Sequence, residues 1–476
     1  MNKTEIMDII ESKKEKLATA ADNIWETPEL RFATKKSVQE HYKVLEEEDF
    51  VIQKGVAGMK HAYIATFGSG KPIIGILGEY DALSNLSQIA DLAEEKALKK
   101  GANGHGCGHN LLGIGSVAGA IGVKEYLKQT GHSGTIKLFG CPAEEGGCGK
   151  SYMAREGVFD DLDLALSWHP GDQTKAWGNT NLAVYHVYYN FHGKAAHAAG
   201  SPELGRSALD AAELMNIGVQ YLREHIMQEA RIHYAYKDAG GTSPNVVQSS
   251  TSLFYYVRAP KMEQATEIFE RVNKIAQGAA LMTETELEIK LDSACLDYIP
   301  NQTFTTLMHK NLELLTPLEF SPEEIHYEQN YFDTVPENVK RTLLQQALAE
   351  FPEKSIDEIK NIASMPINSE LYPLKFTPEA IGSTDVGDVS WVVPTAQVHI
   401  ACEPHGTSAH SWQWVANGKS SVAHKGILTA GKALALTAID AFEQPEYLQK
   451  AKEEHLATLG GKTYQCGIPS TIQPEE

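Results

Sequence analysis

Residues 3–25 and 34–48 carry apolar side chains at helical spacing, which predicts two helices. Between them Glu26-Thr27-Pro28-Glu29-Leu30 predicts a break. Short apolar runs at 61–67 and 72–78 predict strands. A polar insert and a glycine-rich stretch, 101–108, lead into a helix of small residues over 110–128, where Gly113, Gly115 and Gly119 permit close packing on a sheet. A strand follows at 135–139, a short helix at 149–155 closed by Gly157, and a buried strand at 162–168. Strands alternating with helices predict an α/β sandwich with a largely parallel sheet.

The pattern changes near residue 183. Strands at 184–191, 231–237, 251–257 and 284–291 interleave with helices at 202–226 and 261–282. The order β-α-β-β-α-β is a ferredoxin-like arrangement. Afterwards α/β material resumes: helices at 302–315 and 337–350, a proline-containing stretch over 352–378, a strand near 396–402, and helices at 421–442 and 446–457. The expected organisation is a discontinuous first domain, 1–182 and 299–476, with a second domain inserted at 183–298.

Composition narrows the class. The 476 residues are 42% apolar and 22% charged, ordinary globular usage that excludes a disordered or collagenous chain. Acidic residues number 62 against 42 basic, a formal charge of −20. That surface is a poor partner for nucleic acid or an anionic membrane. The apolar run 73–77 is too short to span a bilayer. Glu5, Asp8 and Glu11 make the first helix amphipathic, unlike a secretory signal. Six cysteines over this length form no disulfide framework, so a reducing cytoplasm is expected.

Four segments carry candidate chemistry, each beside a predicted strand end or helix start. In Gly104-His105-Gly106-Cys107-Gly108-His109-Asn110 a thiol and an imidazole two residues apart sit on a tight turn before a helix. Both are good ligands for zinc and similar metals, although a lone Cys-x-His more often marks a buried thiol. Cys141-Pro142-Ala143-Glu144-Glu145 places two carboxylates after a strand, where α/β sheets bind ligands. One carboxylate can bind metal while the other acts as a base, although two adjacent glutamates are usually solvated. Trp168-His169-Pro170 offers a histidine in a rigid strand end. The fourth segment, Gly406-Thr407-Ser408-Ala409-His410-Ser411, has His399, His405 and His424 as neighbours, and chemistry alone does not choose among them. Together, Cys107, His109, Glu145, His169 and His410 would supply five ligands, enough for two ions sharing one, with Glu144 left as base. Such a site suits hydrolysis of an amide or ester.

With these motifs in hand the chain resembles the dinuclear-metal aminoacylase/carboxypeptidase family of amidohydrolases, in its branch with a cysteine ligand. The resemblance runs in order from about residue 20 to 470. It rests on Pro28-Glu29-Leu30, Glu79-Tyr80-Asp81-Ala82-Leu83, Cys107-Gly108-His109, Glu144-Glu145, His169 and Gly193-Lys194-Ala195-Ala196-His197-Ala198. The segments Ser383-Thr384-Asp385-Val386-Gly387-Asp388-Val389-Ser390-Trp391, Ser408-Ala409-His410-Ser411-Trp412-Gln413 and Ala423-His424-Lys425-Gly426 are most similar to the group acting on p-aminobenzoyl-glutamate.

The resemblance implies a metal-dependent exopeptidase-like catalytic domain of three α/β/α layers with an inserted dimerisation and lid domain. It implies two divalent ions, zinc or manganese, held by Cys107, His109, Glu145, His169 and His410. It makes Glu144 the general base and then general acid. His197 would stabilise the oxyanion in a partner chain's site, and Asn245 and Arg258 would bind a substrate carboxylate. Asp81 would order the neighbouring loop, or simply cap a helix. Asn110 stands where the branch usually has Asp, and Thr384 where many members have Glu.

The expectation is a cytoplasmic homodimer that cleaves an N-acyl or p-aminobenzoyl amide of a glutamate-like amino acid. A related second subunit is a further possible partner. The rivals are a dipeptidase or aminoacylase of other specificity, a non-catalytic metal-binding partner subunit, and a redox role for Cys107.

Overall fold

The computed structural model describes residues 1–377 and 382–475. Its first sheet contains β1 (Val51–Lys54), β2 (Tyr63–Ser69), β3 (Ile73–Glu79), β4 (Gly134–Cys141), β5 (Leu164–Gly171), β6 (Lys175–Ala176) and a last strand, Thr395–Ala401. The second contains β7 (Ala183–His192), β8 (Arg231–Asp238), β9 (Ser250–Ala259) and β10 (Glu286–Cys295), so Thr395–Ala401 is β11. The first sheet is ordered β1-β2-β4-β3-β5-β11-β6. Its four middle strands are parallel, with Glu79 opposite Cys141 and His169 opposite His399. The outer pairs are antiparallel. The parallel strands therefore end together, and their C-terminal edge is where side chains converge.

Alternation along the strands feeds two layers. Leu164, Leu166 and Trp168 of β5 pack into a core with the helices His109–Thr130 and Ser421–Glu443, while Ala165 faces a second core with Tyr152, Met153, Val386 and Val389. Helices thus cover both faces, the expected three-layer α/β/α architecture. Gly115 sits where the long helix meets Trp168. A Cβ there would lie 2.5 Å from the indole, whose Nε1 donates to the Leu112 carbonyl at 2.8 Å. Gly115→Ala is expected to cost about 1–3 kcal/mol through overpacking, read as a lowered urea midpoint with an unchanged slope.

The second sheet is antiparallel, ordered β10-β7-β9-β8. The helices Ala208–Leu222 and Met262–Thr283 cover one face through Ala211, Met215, Val219, Val272 and Ala276. This is the ferredoxin-like order expected over this stretch. No described helix is long and apolar enough to cross a membrane, and all six cysteines are free thiols.

Several local expectations need correction. The helix expected at 3–25 breaks at Lys13, giving Lys3–Ser12 and Lys14–Trp25. The apolar spacing continues through the break because both pieces lay one face on the same core. The helix expected at 202–226 is α-helical only over Ala208–Leu222, with Ser207 capping its start. The stretch 352–378 contains the helix Ile356–Ser364, opened by a Ser355–Glu358 capping box, while residue 378 lies outside the described residues. The helix Pro322–Phe332 and the strand β1 were not foreseen.

Candidate metal centre

The turn that carries Cys107 and His109 folds tightly because its glycines allow it. Gly108 has φ +69°, and a Cβ there would meet Pro170 at 2.9 Å. His109 opens the long helix, buried among β3 and β4 residues. Its Nδ1 donates to the Asp81 carbonyl at 3.0 Å. A carbonyl can only accept, so Nδ1 carries the proton and Nε2 keeps its lone pair for the cleft. His169 is fixed in the same way: Nδ1 donates to the Pro170 carbonyl at 2.7 Å, and Nε2 lies 3.4 Å from the Cys107 sulfur.

The Glu144–Glu145 turn leaves β4 between left-handed residues, Ala143 at φ +66° and Cys148 at +54°. Asp81 holds it from beneath: Oδ1 accepts from the Glu144 N–H at 3.2 Å and Oδ2 from the Glu145 N–H at 3.1 Å. Asp81 therefore orders the loop and also anchors His109. His410 is left-handed too, at φ +64°, and its N–H donates to the Gly106 carbonyl at 2.7 Å. Non-glycine residues in this conformation are strained, and here the strain aims Nε2 to 3.3 Å from Glu145 Oε1. Of the other nearby histidines, His424 pairs with Asp22 at 2.8 Å and His405 donates to the Met365 carbonyl. His399 stacks between His169 and Trp177.

Three donor sets result: Cys107 with His109 and His169; Cys107 with Glu145 and His410; and Glu79 with His109 and Glu144. Within each set the donor atoms all lie within 4.8 Å of one another. Two donors about 2.0–2.3 Å from one ion can stand up to about 4.6 Å apart, so these spacings admit a metal with little adjustment. His109 Nε2 and Glu145 Oε1 are buried without a hydrogen-bond partner, the state of donor atoms awaiting a cation. The thiol, imidazole and carboxylate set fits a divalent ion, and Cys107 belongs to two of the sets.

Electrostatics separate the two glutamates. Burial, with Glu79, Glu145 and Asp385 close by, pushes the Glu144 carboxyl well above the ordinary range. Burial acts the same way on Glu145, but the His410 hydrogen bond and the charge of His109 outweigh it and hold that carboxyl down at about 2. Two adjacent carboxyls pushed apart in this way suit one proton carrier and one permanent anion.

A cavity of about 600 Å³ opens over these groups. Arg258 enters it from β9, lying over the Tyr256 ring and donating to Ser383 Oγ at 2.9 Å. His197 and Asn245 do not line it. They come together elsewhere: His197 bridges Val246, the Ala198 N–H donates to the Asn245 carbonyl, and both residues are exposed. His197 Nδ1 accepts from the Ala199 and Gly200 N–H groups at 3.2 and 2.9 Å, so a neutral ring carries its proton on Nε2. The expected carboxylate-binding pair, Asn245 and Arg258, is thus split within one chain.

Glu79, Lys150, Asp385, Trp177 and His399 belong to the site or its surround but had no assigned role in the sequence reading. Only Glu79 left a signal there, two residues before Asp81 at the end of the same strand.

The family model described as Peptidase family M20/M25/M40 matches residues 75–413. The chain is 43% identical over 470 residues to one of the two subunits of p-aminobenzoyl-glutamate hydrolase of Escherichia coli, covering 98% of each. It is 29% identical over 460 residues to Xaa-Arg dipeptidase of Mus musculus, covering 94% of this chain and 91% of that one. Among solved structures, an aminobenzoyl-glutamate utilization protein from Klebsiella pneumoniae shares the fold at a TM-score of 0.59 and 18% identity, over 92% of this chain and 98% of that one. With the family match extending over most of its length, the chain belongs to peptidase family M20/M25/M40 and is a metal-dependent hydrolase of amide bonds.

Proposed function

We propose that the chain hydrolyses the amide of p-aminobenzoyl-glutamate or a close analogue at a centre of two divalent ions, zinc or manganese. The observation that carries this reading is Cys107 standing in two donor sets with Glu144 beside them. The substrate class follows the 43% identical relative. We assign Cys107, His109, Glu145, His169 and His410 as the ligands. Bound there, the ions would polarise the scissile carbonyl and acidify the attacking water.

The chain's own groups do the rest. Glu144 takes the proton of the attacking water and returns it to the leaving amine nitrogen. The Arg258 guanidinium pairs with the substrate carboxylate. His197, its Nε2–H turned outward, reaches the developing oxyanion in the other copy of a homodimer formed through residues 183–298, and Asn245 travels with it. A related second chain remains a partner to test, because the 43% identical relative is named as one subunit of its hydrolase.

Glutamate release from p-aminobenzoyl-glutamate by the purified chain tests this reading. Release is expected to vanish on chelation and to return with zinc or manganese. A chain that is inactive with every metal, yet hydrolyses dipeptides with a C-terminal arginine, would instead place it with the Xaa-Arg dipeptidases.

A further inference from the structure

Lys150 is the second residue of the short helix that follows the Glu144–Glu145 turn, and its side chain is fully buried. Its Nζ lies 2.6 Å from Glu79 Oε1 and 2.6 Å from Asp385 Oδ1. Its backbone N–H donates to the other oxygen of Asp385 at 2.8 Å, so one carboxylate grips both ends of the lysine. Glu79 and Asp385 are buried almost as completely as Lys150. The second oxygen of Glu79 lies 3.2 Å from His109 Nε2, the nitrogen left free for a metal.

Asp385, Lys150, Glu79 and His109 thus form one continuous chain of contacts. It joins the helix start at Val386, the base-bearing turn, the end of β3 and the Cys107–His109 turn. Buried ion pairs add little net stability over well-packed apolar residues, so a core role alone is a weak reason for three buried charges here. The geometry gives them another use. A carboxylate has two oxygens, and Lys150 occupies one of them.

We propose that Lys150 is a positioning residue of the hydrolytic site: by holding Glu79 Oε1 it aims Glu79 Oε2 at His109 and the metal-binding point. The proposal rests on the reading that Cys107, His109, Glu145, His169 and His410 hold divalent ions. With Lys150 in place, Glu79 presents a single oxygen in a fixed direction. Without it, Glu79 is free to turn and to present either oxygen or both, which alters the set of donors around His109.

The test uses cobalt(II), whose visible absorption reports the number and geometry of its ligands. Wild-type protein and Lys150→Met are loaded with Co²⁺, their spectra recorded, and metal retention followed against a chelator. The variant is expected to show a changed cobalt spectrum and a roughly 10–100-fold loss of chelator resistance while still melting cooperatively. Glu79→Gln, which keeps the shape and removes the charge that Lys150 directs, is expected to change the spectrum as well. It carries the test together with Asp385→Asn should Lys150→Met not fold. Folded variants with the wild-type spectrum and wild-type retention would reduce Lys150 to a structural ion pair. Wild-type protein that takes up no cobalt would overturn the metal reading itself, and this proposal with it.

Discussion

Glu144→Gln is expected to lower the rate of amide hydrolysis by about 10²–10⁴-fold while the protein keeps its metal. The substitution is nearly isosteric. It leaves Asp81 able to accept from the backbone of the turn, because those contacts run to the Glu144 and Glu145 N–H groups and not to the side chain. It also spares both donor sets that contain Cys107. What it removes is a group that can both take and return a proton. Burial and three neighbouring carboxylates raise the Glu144 carboxyl, and a dication close by would pull it back down. A carboxyl balanced between those influences can be anionic when water attacks and acidic when the amine leaves. Elemental analysis of the purified variant beside a glutamate-release assay separates the two effects. Full metal content with activity within tenfold of wild type would show that another group is the base.

Much of the centre is legible in the sequence because its ligands sit at topologically determined places. Glu144 and Glu145 follow β4, His169 lies near the end of β5, and the Cys107–His109 turn opens the helix between β3 and β4. An apolar run followed by a polar group at a strand end is a local pattern, and the parallel order of the strands brings such ends together without further instruction. The choice of His410 over His399, His405 and His424 is different in kind. It depends on a left-handed backbone angle and on a contact with Glu145, neither of which has a periodic signal.

The Glu79–Lys150–Asp385 network is less legible still. Its members are far apart along the chain, and a lysine in a short helix reads as a solvated cation until its burial is known. The misread helices have a similar cause. Pro322–Phe332 buries Glu324 and Glu328 among aromatic residues, so its polar composition hides its inner face. At Lys13 the backbone turns while the apolar spacing carries on. Periodicity reports which side faces the core, not whether the hydrogen-bond ladder is continuous.

His197→Ala is expected to lower activity by about 10²–10³-fold, the usual cost of losing an oxyanion donor, although His197 does not line the cavity of its own chain. The variant should retain its metal and its fold, because His197 is exposed and its ring contacts only the N–H groups of its own turn. The discriminating measurement mixes two crippled proteins. When Glu144→Gln and His197→Ala chains are dissociated together and allowed to re-pair at random, about half of the dimers are mixed. In a mixed dimer, the site with an intact Glu144 receives His197 from the Glu144→Gln chain and is complete, while the other site lacks both groups. One complete site of two in half of the dimers predicts recovery of about a quarter of the wild-type activity from two nearly inactive stocks. A mixture no more active than its components would mean that His197 does not act across a dimer. The split between Arg258 in the cavity and Asn245 beside His197 makes a second demand on the same mixture. If Asn245 also crosses to the partner's substrate, Asn245→Ala should raise KM in the homodimer and be rescued by the same pairing.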